Sequence, residues 1–519
     1  MKGPARRLAR GQQQRDRADA ARTDPDARRR ELLAAERGTI FREAPLKVAL
    51  GYPLPYRAAM SSLGYQVVYR ALNSRPTVSC ERFVLPDDVA EHRRRRLPLG
   101  SLETGRPVAA FDLIGVSATW DLDLPGLFDL LDLAGVPALR AERSSADPPV
   151  LLGGPLTASN PLPFGPFIDL AVIGDAEVAL ERLLDILEDV RDRDDLLTRA
   201  ARIPGVWVPE LHGDRVPPTQ KVTEGLPAVG QILTPHTELS NMFLVEASRG
   251  CPRFCKFCLV RAPESPMRAS DLERVMAAIP ADAPRVGFVG AAISEWDGIR
   301  EALRRVVESG RGVGISSLRA DRLDAEFVDL LARGGYRTLT VASDAPSQRL
   351  RNTLSKAIRT PHLRQAAELA KASGMLKLKL YVIVGLPGET DDDLDELVAF
   401  SRELASLLPL TLGLSPLVPK LHTPLGDAPF AGMGPIDRTL TRLREGLAGV
   451  AELRSTSAKW AWIEYRMSQG AEDAGLAAYA AWKRGGSFGA WRAALADADE
   501  RGALAAARRH GLFPAAGMK

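Results

Sequence analysis

The stretch Cys251-Pro-Arg-Phe-Cys255-Lys-Phe-Cys258 decides how the rest of this sequence is interpreted. It places three of the protein's four cysteines in one short loop, after an apolar run and a Ser-Arg-Gly turn. Thiolates bind iron–sulfur clusters, and a four-iron cluster with full protein ligation needs four of them. Three thiolates therefore predict a cluster with one open iron. The alternatives are three structural thiols, or a zinc site completed by a distant histidine, although zinc loops more often pair two C-x2-C motifs.

The C-x3-C-x2-C loop resembles the signature of the radical S-adenosylmethionine (radical SAM) superfamily. The resemblance implies a [4Fe-4S] cluster held by Cys251, Cys255 and Cys258. It also implies that the open iron chelates the amino and carboxylate groups of S-adenosyl-L-methionine. Electron transfer from the cluster would then cleave the sulfonium to a 5′-deoxyadenosyl radical.

Length and composition predict a cytoplasmic protein of two or three domains. The chain has 519 residues, of which 45% are hydrophobic and 26% charged, which are ordinary values for soluble domains. No apolar run reaches the roughly 18–20 residues that a membrane span needs, and the sequence opens with no signal-peptide pattern. Clustered cysteines argue against a disulfide framework and favour a reducing cytoplasm.

The positive charge of the chain is concentrated at its start. The formal net charge is +4, and residues 1–43 hold more Lys and Arg than Asp and Glu, so this segment accounts for the excess. Few apolar residues accompany these charges, which predicts a disordered basic tail over residues 1–43. The remainder is close to neutral, which argues against a nucleic-acid partner.

Residues 44–215 alternate between strand-like and helix-like runs. A strand over Lys47–Tyr52 is followed by a helix over Tyr56–Leu72, and the same alternation continues with three more strands. This pattern predicts an α/β domain with a parallel sheet, whose ligands bind beyond the carboxyl ends of the strands. Three segments at those ends contain candidate ligand-binding residues, which are Ser117, Thr119, Gly153, Gly154, Gly174 and Glu177.

Placed before the cysteine loop, these segments resemble the Rossmann-like cobalamin-binding domain of B12-dependent radical SAM proteins. The resemblance implies that the S-x-T and Gly-Gly segments hold the nucleotide tail of cobalamin. The methionine-synthase type of this fold carries D-x-H-x-x-G, whose histidine ligates cobalt, but here the loop Tyr52–Arg57 contains no histidine. Either the cobalt has no protein ligand from this loop, or the domain has lost the cofactor.

A linker over residues 216–240 leads to a second domain over residues 241–430. Six strand-like runs separated by helical stretches resemble the partial (βα)6 barrel of radical SAM enzymes. Barrels of this kind have their chemistry at the carboxyl ends of the strands. Residues 431–519 are rich in alanine and contain four tryptophans, which predicts a small α-helical C-terminal region.

The resemblance to the superfamily assigns roles at these strand ends. An aromatic before the third cysteine would lie against adenine, a glycine-rich segment would receive the methionine amino group, and hydroxyls with a guanidinium suit ribose and carboxylate. A second glycine turn would border the adenine. The residues that match are Phe257, Gly290, Ala291, Ser316, Ser317, Arg319, Ser343, Asp344 and Gly385.

Three hypotheses for function follow. Outside the loop only Cys80 remains, so a second all-cysteine cluster cannot form, which argues against methylthiotransferases. The first hypothesis is a cobalamin-dependent radical SAM methyltransferase, in which methylcobalamin donates a methyl group to an unactivated carbon. The second is oxidation, cyclisation or rearrangement without methyl transfer, and the third is a non-catalytic cluster- or cobalamin-binding regulatory module. No residue stands out as a general base.

The partners of such a protein are predicted only by class. A small molecule, a lipid or a peptide would each fit as the substrate of a chain that is close to neutral outside its tail. The resemblance also implies an electron donor such as flavodoxin or ferredoxin.

Overall fold

The computed structural model describes residues 24–190, 192–222, 225–262, 264–316 and 318–500. The chain forms two compact units. The first contains the described chain up to Val222, Gly230–Asn241 and the residues from Ala471 onward. The second contains Met242–Gly470 and a short piece that ends at Val229.

The strands and helices follow one another through both units. The strands are β1 (Leu46–Pro55), β2 (Val78–Leu85), β3 (Leu113–Ser117), β4 (Val150–Gly153), β5 (Leu170–Val172), β6 (Val206–Trp207), β7 (Ala228–Val229), β8 (Met242–Glu246), β9 (Ser248–Arg249), β10 (Arg268–Ala269), β11 (Arg285–Val289), β12 (Gly312–Ile315), β13 (Thr338–Ala342), β14 (Lys377–Val384), β15 (Leu410–Pro416) and β16 (Ala451–Ser455). The helices are α1 (Pro25–Ala34), α2 (Tyr56–Ala59), α3 (Leu63–Ser74), α4 (Val89–Arg94), α5 (Leu124–Ala134), α6 (Leu180–Asp189), α7 (Arg193–Ala200), α8 (Pro209–His212), α9 (Leu272–Ala277), α10 (Ile299–Glu308), α11 (Ala325–Arg333), α12 (Gln348–Thr353), α13 (Thr360–Ala372), α14 (Asp391–Leu407), α15 (Met433–Gly446), α16 (Ala458–Gln469), α17 (Glu472–Lys483) and α18 (Phe488–Glu500). None of the helices described is long and apolar enough to cross a membrane.

The first unit is organised around a six-stranded sheet with the order β2-β1-β3-β4-β5-β6. Every pairing from β2 to β5 is parallel, and β6 joins β5 antiparallel. The α/β prediction is therefore confirmed. The chain adds β2 on one side of β1 and then β3 on the other side of β1. The strand order therefore reverses between β1 and β3. Such a reversal point opens a crevice at the carboxyl ends of the strands.

Two local predictions for this unit are wrong. The helix expected over Tyr56–Leu72 is two helices, because Ser62 ends the first turn and accepts a hydrogen bond from the backbone N–H of Tyr65 as the N-cap of α3. Part of the tail expected to be disordered is ordered, since Pro25–Ala34 forms α1 and Leu32 is buried. The remainder of that tail, residues 1–23, lies outside the described residues.

An ion-pair cluster attaches the chain after α1 to strand β2. Arg82 has no solvent-exposed side-chain surface, and its guanidinium contacts Glu36 at 2.7 Å and Glu103 at 2.6 Å. Tyr56 donates a further hydrogen bond to Glu36. Because a buried charge is costly without a partner, these contacts explain why residues near 36 are ordered.

The C-terminal region predicted as one helical segment is divided between the units, and it contains strand β16. Helix α17 belongs to the first unit, where Trp482 donates its indole N–H to Asp129 at 2.9 Å and stacks on Tyr479. Close contact requires a glycine at position 475, since a Cβ there would lie 1.9 Å from the carbonyl oxygen of Pro163. These packing contacts place α17 on the first unit.

The second unit contains two four-stranded sheets, with the orders β12-β11-β8-β7 and β13-β14-β15-β16. The six predicted strands are β8 and β11–β15, and every pairing between adjacent members is parallel. Backbone and hydroxyl hydrogen bonds join β12 to the Gly334–Tyr336 turn before β13. One continuous apolar core lies across both sheets. The predicted linker supplies the extra strand β7.

Candidate functional site

The cysteine loop follows the carboxyl end of β8. Its backbone is held from three sides: Cys251 donates to Ser265 at 2.9 Å, Lys256 donates to Leu354 at 3.0 Å, and Leu425 donates to Lys256 at 3.2 Å. The last two partners follow α12 and β15, so segments beyond several strands converge on the loop. This is the end of the sheet at which parallel α/β folds place their chemistry.

The three cysteines of the loop are free thiols. Burial raises the pKa of Cys255 and of Cys258, and the nearby positive charge of Lys356 opposes both increases. Among the described residues, no three His, Cys, Asp or Glu side chains converge closely enough for a single metal ion. Soft thiolates are the donors that hold iron–sulfur clusters, in which each thiolate binds a different iron, so the donor set of this loop fits such a cluster.

Gly290 and Ser316, both predicted to contact S-adenosyl-L-methionine, contact each other. The Ser316 hydroxyl donates to the carbonyl of Gly290 at 2.8 Å and accepts from the N–H of Gly290 at 3.1 Å. A Cβ at Gly290 would lie 2.6 Å from the hydroxyl of Ser248, which is buried and has no hydrogen-bond partner among the described residues. Ser248 was not predicted, and its buried orphan hydroxyl marks a polar position that a ligand could satisfy. Ala291 is exposed, and Ser317 lies outside the described residues.

Arg319 lies in a buried charge network instead of projecting a free guanidinium. It contacts Asp321 at 3.0 Å and Glu295 at 3.2 Å. Glu295 also binds Arg253, which lies inside the cysteine loop, at 2.5 Å, and Arg322 at 2.7 Å. Although burial raises the pKa of Asp321, the hydrogen bond and charge of Arg319 outweigh this and lower it. Sequence reasoning did not identify Arg253 or Glu295, because this pairing spans about forty residues.

The fourth and fifth strand ends contain the remaining predicted residues. The Ser343 hydroxyl donates to the carbonyl of Ala345 and accepts from Arg351, so it is used within the fold. Asp344 has φ 59° and forms an ion pair with Lys356. Gly385 has φ 72°, a conformation that favours glycine, and its N–H donates to the carboxylate of Glu389 at 2.9 Å.

Phe257 lies next to the last of these turns. Its ring packs against a small apolar cluster that includes Leu386, the residue after Gly385. The predicted adenine-bordering residues, Phe257 and Gly385, therefore belong to one local surface.

In the first unit, the S-x-T and Gly-Gly segments lie side by side at the ends of β3 and β4. A Cβ at Gly154, which has φ 99°, would lie 2.3 Å from the carbonyl of Ala118, the residue between Ser117 and Thr119. Among the described residues other than its two chain neighbours, no atom lies within 4 Å of a Cβ built at Gly153. The hydroxyl and N–H of Thr119 donate to Asp123. Glycine thus permits close backbone approach here and leaves open space beside Gly153.

The third predicted segment of this unit, around Gly174, packs against another part of the same chain. A Cβ at Gly174 would lie 2.1 Å from the carbonyl of Gln220, so its φ of 103° accommodates the segment after α8. Glu177 is exposed on the following turn. The N–H of Gly174 donates to the hydroxyl of Thr157, which donates in turn to the carbonyl of Gly154.

Two apolar side chains at this end of the sheet are exposed. Trp120, after β3, exposes 43% of its surface, and Leu54, near the end of β1, exposes 38%. Leu54 lies on β1 and Trp120 follows β3, and these two strands flank the reversal point. No histidine occupies the loop between Tyr52 and Arg57, where Tyr52 is buried against Tyr65. His92, which precedes a run of four arginines, is buried.

Comparison with known families identifies both parts of the chain. A model described as the radical SAM superfamily matches residues 245–401, and a model described as the N-terminal part of radical SAM proteins matches residues 64–209.

Individual relatives cover different shares of the chain. An uncharacterised protein of Methanocaldococcus jannaschii is 27% identical over 72% of this chain and 78% of its own. A tRNA-2-methylthio-N(6)-dimethylallyladenosine synthase of Bacillus licheniformis is 25% identical over 30% of this chain and 34% of its own. The solved apo structure of OxsB, a cobalamin-dependent S-adenosylmethionine radical enzyme, has a TM-score of 0.50 and 15% identity, and the match covers 79% of this chain but only 56% of OxsB. This last likeness supports the fold.

Proposed function

We propose that this chain, which is a radical SAM protein, is a cobalamin-dependent enzyme that methylates an unactivated carbon. The observation that carries the proposal is the loop of three free thiols at the carboxyl end of β8, on which segments from several strand ends converge. Three thiolates leave one iron of a four-iron cluster open for S-adenosyl-L-methionine.

The residues of this chain would bind and position the two cofactors. When bound, the cluster supplies the electron that cleaves S-adenosyl-L-methionine, and the corrin carries the methyl group. Cys251, Cys255 and Cys258 would hold the cluster. Arg253 and Glu295 would keep the loop against Arg319, while the close approach at Gly290 and the free hydroxyl of Ser248 would receive polar groups of S-adenosyl-L-methionine.

The first unit supports the cobalamin part of the proposal. Its strand order reverses between β1 and β3, and the carboxyl ends there carry Thr119, the open position beside Gly153, and the exposed ring of Trp120. Hydroxyls and close backbone suit a nucleotide tail, and exposed apolar surface suits the face of a macrocycle. The fold is shared with OxsB, whose structure is described as cobalamin-dependent.

Methylthio transfer is not proposed, despite the partial likeness to a methylthiotransferase. The only further cysteine is Cys80, which is buried in the core of the first unit. A second cluster held by cysteines therefore has no ligands in this chain.

A second candidate is radical chemistry without methyl transfer, such as oxidation, cyclisation or rearrangement. It is favoured by one observation: the Gly174 turn, which the cobalamin resemblance assigned to the cofactor, is filled by Gln220. Under this hypothesis the first unit has lost the corrin.

The test uses anaerobically purified and reconstituted protein, with and without hydroxocobalamin. We expect four irons per chain, a retained corrin spectrum, and formation of both 5′-deoxyadenosine and S-adenosylhomocysteine on reduction with flavodoxin or ferredoxin. Deoxyadenosine without corrin or S-adenosylhomocysteine would favour the second candidate. Failure to bind iron with all three cysteines intact would overturn both.

A further inference from the structure

The segment after α12 has an unusual backbone conformation next to the cysteine loop. Ser355 and Ala357, on either side of Lys356, have φ of 54° and 57°, and Asp344 at the end of β13 has φ 59°. Residues other than glycine seldom adopt this left-handed region. Such strain persists only where surrounding contacts impose it, and it clusters at functional sites.

Buried arginines impose this conformation. Arg351 donates to the carbonyl of Ile358 at 3.1 Å and to the hydroxyl of Ser343 at 3.0 Å. Arg319 donates to the carbonyl of Lys356 at 3.3 Å. The backbone at Lys356 and directly after it is thereby fixed to two strand ends.

The fixed segment presents an ion pair between Lys356 and Asp344. Their side chains are only 11% and 14% exposed. The backbone N–H of Lys256, next to Cys255, donates to Leu354 at 3.0 Å, so the cysteine loop is bonded directly to this segment.

We infer that the Lys356–Asp344 pair sets the reduction potential of the cluster held by Cys251, Cys255 and Cys258, an assignment that rests on the proposed function. Reduction adds negative charge to a cluster, and nearby charge is one of the features that tune its potential. Lys356 therefore favours the reduced state and Asp344 opposes it. Because the pair is largely buried, solvent and salt screen these effects only weakly.

Opposite shifts in the two variants test the inference. Reconstituted Lys356→Met and Asp344→Asn proteins are titrated electrochemically, with the reduced cluster followed by electron paramagnetic resonance. We expect the midpoint potential of the cluster to fall in Lys356→Met and to rise in Asp344→Asn. Asparagine is chosen at position 344 because it tolerates positive φ and so preserves the backbone conformation. Lys356→Arg, which keeps the charge, should stay close to the unaltered protein. The control is Lys371→Met, which removes an exposed charge from the end of α13, on the side where β14 begins.

The outcomes separate this inference from the proposed function. Equal potentials in Lys356→Met, Asp344→Asn and the unaltered chain, all with full iron content, would overturn the role of the pair and leave the cluster assignment intact. If Lys356→Met fails to assemble a cluster, the midpoint potential of Asp344→Asn decides alone. A rise supports the inference, and an unchanged potential overturns it. No cluster in the unaltered chain would overturn the proposed function and this inference with it.

Discussion

The two units differ in where their buried charges lie along their strands. In the first unit, Arg82 lies on β2 and pairs with Glu36 and Glu103 from other segments, and the buried pair of Arg143 and Asp169 lies at the amino ends of β4 and β5. In the second unit, a group of buried charges lies at the carboxyl ends of the strands, around the cysteine loop. There Glu295 pairs with Arg319 and Arg253, and Asp344 pairs with Lys356.

This difference separates two uses of a buried ion pair. Burying charge costs free energy that even a good partner only partly recovers, so its position is informative. Away from the carboxyl ends, the pairs of the first unit connect distant segments of chain. At the carboxyl ends, those of the second unit form the surroundings of the thiols. At its carboxyl ends the first unit offers glycines, an exposed ring and the hydroxyl of Thr119, which donates to the buried carboxylate of Asp123.

The largest effect is expected from removing a thiol. Cys255→Ala takes away one of three cluster ligands, so we expect loss of bound iron and of 5′-deoxyadenosine formation, measured by iron and sulfide analysis and by chromatography. Cys80→Ala is the matched control, because this cysteine is buried in the first unit and should leave iron content unchanged. Full iron content in Cys255→Ala would contradict the assignment of the cluster to the cysteine loop of the second unit.

Next in size is the loss of the cluster of charges on β2. Arg82→Met leaves Glu36 and Glu103 buried without their counterion, and we expect about 3–5 kcal/mol lower free energy of unfolding. Chemical denaturation followed by circular dichroism measures this loss. Arg94→Met, which removes an exposed ion pair, should change stability by less than about 1 kcal/mol. Iron binding that falls in the folded Arg82→Met protein would contradict a purely stabilising role.

A smaller effect is expected at the proposed cobalamin-binding surface of the first unit. Trp120→Ala removes an exposed ring, so stability should hold while hydroxocobalamin binds about tenfold more weakly. Absorbance titration of the corrin measures the affinity. Trp460→Ala removes a similarly exposed ring from the second unit and should bind hydroxocobalamin like the unaltered protein. Equal affinity in the two variants would exclude Trp120 from the corrin site.

The smallest effect is expected within the charge network of the second unit. Glu295→Gln removes the charge that Arg253, Arg319 and Arg322 share, and we expect S-adenosyl-L-methionine to bind about fivefold more weakly while the cluster is retained. Isothermal titration of the reconstituted protein measures this. Glu326→Gln, whose carboxylate pairs with Arg304 on the surface, provides the control. Unchanged affinity would mean that the network only stabilises the fold.

Local patterns were sufficient to predict most of the elements that surround the site. Apolar runs predicted the six strands of the second unit. The alternation of strand-like and helix-like runs predicted the α/β fold of the first. Strand β2 was missed because Glu81 and Arg82 interrupt its apolar pattern, and both are buried. Their partners lie far along the chain, so no window of sequence around β2 reveals that these charges are neutralised.

The sequence by itself determined the thiol loop, its spacing and the superfamily, since these depend on residues that are neighbours in the chain. Only the tertiary structure decided which glycine turns remain open, since Gln220 lies against Gly174 and no comparable described segment lies against Gly153. The same holds for the pairing of Lys356 with Asp344 and of Arg253 with Glu295. Each pairing depends on strand ends being brought together by β-sheet packing, and that proximity is not encoded in any single stretch of sequence.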